Sequence, residues 1–172
     1  MLSTSVKSAV NVLLFSVAFG GGVMHSFIVS PIAFKHLPRE EFGNLQHQVL
    51  PLYLLGQTAA PVLLGLTTPL SSKFSTPVLA ASAVAGAINY FWVLPRCNQI
   101  KDEKKKLIAE KKHEQIVDGK VEDSEEFRAL SKQFGKFHGI SSLLNLVSIA
   151  TLGAYGFALG DGSCRLAYCL CA

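Results

Sequence analysis

The stretch Phe134-Gly-Lys-Phe-His-Gly-Ile-Ser-Ser-Leu-Leu-Asn-Leu146 decides the fold. Before it, residues 96–133 are too rich in charge to contain an apolar span. After it, residues 139–160 carry no charged side chain. A hydrocarbon core about 30 Å thick is crossed by about 20 helical residues, so 139–160 reads as a membrane span. His138 and Gly139 then mark a water–membrane boundary, with Ser141, Ser142 and Asn145 just inside it.

The composition agrees. Hydrophobic residues make up 49% of the 172 and charged residues 16%, against about 25% charged in soluble domains. Of the 16 Lys and Arg, 11 lie between Arg96 and Lys136. The net charge of +4 is therefore a loop feature, not a nucleic-acid footprint. The four Cys, at 97, 164, 169 and 171, lack the C-x-x-C spacing of a zinc site or redox dithiol.

Three more apolar runs precede the charged segment. Residues 8–30 form the first span. Lys7 followed by this run is also the outline of a signal peptide, with Ala18 and Gly20 as cleavage residues, but the run stays apolar well past Gly20 and favours a retained span. Gly20-Gly21-Gly22 predicts a close helix–helix approach, and Pro31 ends the run. Pro38, Glu40 and Glu41 suit a helix start. Phe42, Leu45 and Val49 share one face, which predicts a short amphipathic surface helix. The second span covers about 50–70, with a kink near Pro61. The third covers about 77–95, with small residues for packing and Tyr90, Phe91 and Trp92 as an interfacial aromatic belt. The fourth covers about 139–160, where Gly153, Gly156 and Gly160 allow close packing.

The charged loop 96–138 predicts helix over 98–117, stopped at Gly119. A second helix begins at Asp123 or Ser124, where Asp123 and Glu126 have capping-box spacing, and shows Phe127, Leu130, Phe134 and Phe137 on one face. The tail, 161–172, contains three of the Cys, and the sequence leaves their state open. The expected fold is all-α: a polytopic four-helix membrane bundle with amphipathic cytosolic helices. Loops 31–49 and 96–138 hold 13 of the Lys and Arg, and the opposite ends hold 3. The positive-inside rule puts those loops in the cytosol and both termini away from it, in an endomembrane.

The residues resemble the transmembrane protein 205-like family, small four-span proteins of largely unknown function. One matching block is Phe34-Lys-His-Leu-Pro-Arg39 with Phe42-Gly43, Leu45-Gln46 and Pro51-x-Tyr53. The other is Phe134, His138-Gly139, Ser141-Ser142-Leu143 and Asn145-Leu146, with weaker support from Asn89 and Pro95. The likeness covers roughly residues 8–160. The family motif thus maps to Leu37, Pro38, Arg39, Phe42, Gly43, Gln46, His138, Gly139, Ser141, Ser142 and Asn145. Two departures stand out: Asp123-Ser-Glu-Glu-Phe127 lacks the proline of the family's acidic-Pro-x-aromatic step, and the Cys-containing tail is atypical.

Both blocks fall at the cytosolic membrane boundary. A polar cluster of Arg39, Gln46, His138, Ser142 and Asn145 is therefore expected there, as a ligand site or as structural hydrogen bonding. His25 is a candidate intramembrane relay, with a hydrogen-bonded core histidine as the simpler reading. His25 and His138 are the only pair available for a haem, and no cofactor or metal is expected. Asn11, Gln57 and Asn89 read as interhelical hydrogen-bonders. Ser141-Ser142 beside His138 has no orienting acid, so nucleophilic catalysis has no support. The reading that follows is a non-enzymatic scaffold, trafficking or lipid-environment factor. A solute or ion transporter using His25 is the alternative, and a lipid-acting enzyme the third. The expected partners are the bilayer, a protein on the 96–133 loop and a second copy in a homo-oligomer, with no nucleic acid.

Overall fold

A computed structural model describes residues 4–117 and 120–171, with side chains over 5–116 and 120–161. Four helical rods, Ser5–His36, Arg39–Thr67, Ser72–Ala109 and Glu125–Asp161, are long and apolar enough to cross a membrane. The protein is an all-α integral membrane protein, and the rods run up and down as a four-helix bundle.

The first rod is α1 (Thr4–Val23), a π-helical turn (Met24–Val29) and α2 (Ser30–His36). The second is α3 (Arg39–Thr67), and the third is α4 (Ser72–Ile88), a second π turn (Asn89–Val93) and α5 (Leu94–Ala109). A hairpin of β1 (Glu114–Val117) and β2 (Lys120–Asp123) leads into α6 (Glu125–Cys171).

Prolines shape the rods in two ways. A residue before proline is pushed out of the helical region. Leu37 takes ψ 145° before Pro38, which ends α2, and Thr68 takes ψ 134° before Pro69, which ends α3. Ser30 and Leu94 also precede prolines yet stay helical, with ψ −45° and −48°. In both cases the turn has widened. The Ser30 N–H donates to the His25 carbonyl and the Leu94 N–H to that of Asn89, five residues back. An extra residue in the turn accommodates the ring that would clash with an ordinary α-helical carbonyl. Pro31 therefore does not end the first helix, and Pro95 does not end the third.

Three further expectations are corrected. Phe42, Leu45 and Val49 belong to no separate surface helix, because α3 is continuous for 29 residues from Arg39. The amphipathic segment carrying Phe127 and Phe134 runs unbroken into the fourth span, as its sequence implies. The helix predicted over 98–117 stops at Ala109. Lys111 adopts φ 55°, and the N–H groups of Lys111 and Lys112 donate to the carbonyls of Ile108 and Leu107. This is a Schellman stop with lysine in the left-handed position. Gly119, the expected stop, lies outside the described residues, as do the side chains of Cys164, Cys169 and Cys171. Ser124, not Asp123, caps α6: its Oγ accepts from the Phe127 N–H at 3.3 Å, while Asp123 pairs with Glu114 in the hairpin.

The core sits toward the end of the bundle that holds the 68–71 turn. Leu64, Leu79, Leu152, Tyr155 and Leu159 pack there against Phe15 and Phe19. Gly156 and Gly153 lie under those two rings, whereas Gly160 has open space. Of the Gly20–Gly22 run only Gly22 is closely approached. Where α3 crosses α4, a Cβ on Gly86 would lie 2.9 Å from the Gln57 carbonyl oxygen, so the two backbones touch.

The third and fourth rods have 38 and 37 residues. At 1.5 Å per residue they are about 55 Å long, roughly 25 Å more than a hydrocarbon core. The excess is an antiparallel stalk of α5 and early α6. Trp92 meets Phe137 edge-on at 5.8 Å, and Lys104 Nζ lies 4.5 Å over the Phe127 ring. The hairpin caps this stalk, with Ile116 opposite Val121 and both side chains exposed.

Candidate functional site: a polar ladder through the bundle

The inward stripe of α6 is Ser141, Asn145, Ser148, Leu152, Tyr155 and Leu159, spaced alternately by four and three. That spacing holds one helix face. It brings polar groups of all four spans together in layers.

The central layer is a ring of hydrogen bonds. The Tyr53 phenol donates to Asn145 Oδ1 at 2.7 Å. The Asn145 amide donates to Ser26 Oγ at 2.8 Å, and the Ser26 hydroxyl lies 3.2 Å from the Tyr53 oxygen. With the phenol and amide protons committed, Ser26 closes the ring by donating back to Tyr53. Gln57 joins from one turn below: its Nε2 donates to Tyr53 at 3.1 Å. Its Oε1 accepts from Ser148 at 2.7 Å, and Ser82 lies 2.8 Å from that serine oxygen. Gly22 leaves the room for this, since a Cβ there would be 2.8 Å from Gln57 Nε2.

A second layer lies at the end holding the 68–71 turn. Asn11 Nδ2 donates to the Leu64 carbonyl at 3.0 Å and to Thr67 Oγ1 at 2.9 Å. The Tyr155 phenol donates to Asn11 Oδ1 at 2.7 Å and lies 2.9 Å from Thr68 Oγ1. Between the layers Leu64, Leu79 and Leu152 fill the bundle. Ser148 and Tyr155 are two turns apart on α6, so this apolar slab is about 10 Å deep. Asn89 and Ser141 pair reciprocally at 3.0 and 2.7 Å. Asn11, Gln57 and Asn89 thus hydrogen-bond between helices. Such bonds average about 0.6 kcal/mol in membranes, while leaving one buried group unpaired costs about 1–3 kcal/mol.

At the opposite end, toward the Leu37-Pro38 turn, the ladder continues on α2 and α3. Gln46 Nε2 donates to Ser30 Oγ at 3.1 Å. Ser30 Oγ is 3.3 Å from His25 Nε2, and the His25 ring lies 4.4 Å from the Tyr53 ring. Gln46 Oε1 is buried and no protein group donates to it. Phe34 and Phe42 meet edge-on at 5.3 Å one turn further out.

Of the expected cluster, only Gln46 and Asn145 enter this interior. Arg39, His138 and Ser142 are exposed. His138 stacks on Phe134 along its own helix. Ser142 sits one position off the inward stripe and donates to the His138 carbonyl of its own helix at 2.9 Å. His25 and His138 are not brought together. Gly43 and Gly139 have open space around them, so packing does not require glycine at either. Sequence reasoning missed Ser26, Ser30, Ser82, Ser148 and Tyr155. The period-3.6 stripe on α6 carried the signal for Ser148 and Tyr155. Among the described residues no three His, Cys, Asp or Glu side chains form a metal-binding group.

A family model described as a domain of unknown function, DUF4149, matches residues 13–106. The chain belongs to the DUF4149 family. A relative from Aspergillus fumigatus, named Xanthocillin biosynthesis cluster protein D, is 26% identical over 158 residues, covering 88% of this chain and 87% of that protein. No solved structure matches. The resemblance drawn from the sequence stands at this broader level, membership of an uncharacterised family, without the narrower family name. The matched DUF4149 region holds Ser26, Tyr53, Gln57 and Ser82 but stops before α6. The ring therefore needs Asn145 and Ser148 from outside the matched region to close.

Proposed function

We propose that this DUF4149 protein is a non-enzymatic membrane scaffold, one that presents its stalk and hairpin to protein partners at a membrane surface. The single observation carrying this reading is the pairing of the intramembrane polar groups with one another across all four spans. Groups satisfied in this way fix helix positions. They are interrupted by the Leu64, Leu79 and Leu152 slab, which offers a solute or ion no polar route and so weighs against transport. The stalk has no such internal role, and its tip leaves Ile116 and Val121 in water.

The charge asymmetry supports a cytosolic stalk, with the termini on the far side of an endomembrane. The relative's name associates that protein with a biosynthesis cluster, a setting in which a membrane scaffold would gather enzymes. Proximity labelling from a tag on the 37–38 turn tests the idea. Reproducible protein neighbours are expected, and they should be lost on Ile116→Ser with Val121→Ser at unchanged expression. Finding no neighbours, or neighbours indifferent to the double substitution, would overturn it.

A further inference from the structure

We propose that the outer edge of β1 docks an extended segment of a partner protein, one with Lys or Arg two residues from an apolar side chain. This rests on the scaffold reading and names the partner's chemistry. Register decides which backbone groups are free. The Ser124 N–H donates to the His113 carbonyl at 2.8 Å, one step outside the Glu114–Asp123 pair. Bonded and non-bonded pairs alternate in an antiparallel ladder, so Glu114–Asp123 and Ile116–Val121 are non-bonded pairs. The N–H and C=O groups of these four residues point away from the opposite strand. On β2 the Asp123 carbonyl accepts from the Arg128 guanidinium at 3.3 Å. On β1 no described group bonds to the outward backbone of Glu114 or Ile116, so this edge can add a strand.

Charge selects the occupant. Directly opposed residues, and residues two apart on a strand, share a face of the sheet. One face of the hairpin therefore reads Glu114, Ile116, Val121 and Asp123, and all four are exposed. An added strand sets an apolar side chain beside Ile116, and the residue two along falls beside Glu114, where Lys or Arg is complementary. Glu114 lies 3.5 Å from His113, but its side chain is 56% exposed, so it can take a second cation. The surroundings disfavour other occupants. Residues 113–126 hold six Asp or Glu and one Lys, so the hairpin of a second copy and an anionic membrane are both repelled. The stalk also lifts the hairpin off its own bilayer.

The test uses the full chain in phosphatidylcholine nanodiscs and the peptide Thr-Lys-Thr-Val-Thr-Lys-Thr, with a diazirine on the valine side chain. The peptide reads the same in both directions, so it suits parallel or antiparallel addition. Photolabelling should fall on residues 114–116, and the same peptide with Glu for Lys should label about tenfold less. Ile116→Pro keeps an apolar side chain but removes an outward N–H that the hairpin does not use, and should cut labelling about tenfold. Glu114→Lys with Asp123→Lys should do the same, because attraction becomes repulsion. Slow exchange of the Ser124 amide, which donates across the hairpin, shows that a variant keeps the hairpin. Equal labelling by the two peptides, labelling centred off β1, labelling by neither peptide, or labelling unchanged in either variant overturns the docking edge. If protein neighbours are still lost on Ile116→Ser with Val121→Ser, the scaffold reading survives that failure. Neighbours indifferent to that substitution remove the scaffold reading whatever the peptide does.

Discussion

Tyr53 on α3 donates its phenolic proton to Asn145 on α6 across 2.7 Å, and each residue is bonded to a third, Ser26 on the first rod. Three helices far apart in sequence are thereby set at one depth. A membrane bundle gains little from apolar burial between helices, since lipid is as apolar as leucine. Specific polar pairs and close backbone approach must then set the register.

Tyr53→Phe removes the hub of the ring. It leaves Asn145 Oδ1 without its donor and Gln57 Nε2 without its acceptor. The expected loss is about 1–3 kcal/mol, read as a lower unfolding midpoint in detergent. Asn145→Leu should cost a similar amount. The double variant should cost less than the sum, because neither residue then leaves the other stranded. Strict additivity would mean the ring is not formed.

Gly86→Ala tests the crossing of α3 and α4. Its new Cβ would meet the backbone of Gln57 and Thr58, which cannot rotate away. The spans must part, at a cost of about 1–3 kcal/mol, and the Gln57 side chain moves from Ser148. Gly56→Ala, beside Gln57 on α3 but with open space around it, should be neutral or stabilising by up to about 1 kcal/mol. Thermal unfolding of both variants in the same detergent checks the contrast.

The four spans were legible because length and apolarity alone decide them. Side-chain partners were not, since they depend on which face of each helix turns inward. Ser141, not Ser142, meets Asn89, and the sequence Ser-Ser does not distinguish them. Pro31 reads as a stop, and a proline carries no mark telling a stop from the widened turns found before Pro31 and Pro95. The hairpin carries a sequence signal that competes with a helical one. Asp118-Gly119 between Ile116-Val117 and Lys120-Val121 is a strong two-residue hairpin signal, but the surrounding Lys and Glu favoured helix. The true helix stop, Lys111, has no compositional signature at all.

That stop yields a stability prediction. A non-glycine residue in the left-handed region carries about 1–2 kcal/mol of strain, partly offset in a glycine variant by added freedom of the unfolded chain. Lys111→Gly should therefore stabilise the end of α5 by about 1 kcal/mol, and Lys111→Ala should not. Amide exchange of residues 111 and 112, whose N–H groups close the last turn, should slow in the glycine variant only.

Sidedness gives the last prediction. The up-and-down order puts the 37–38 turn and the hairpin at one end and the 68–71 turn at the other. The Lys and Arg are concentrated at the first end, which the positive-inside rule assigns to the cytosol. In a chain whose four native Cys are replaced by Ser, single cysteines at His36, Lys73 and Lys112 separate the two ends, and all three positions are exposed. With only the plasma membrane permeabilised, a membrane-impermeant maleimide should label His36→Cys and Lys112→Cys. Lys73→Cys should react only after the internal membranes are dissolved. Labelling of all three at once would contradict a four-span crossing, and the reverse pattern would put the stalk on the far side of the membrane.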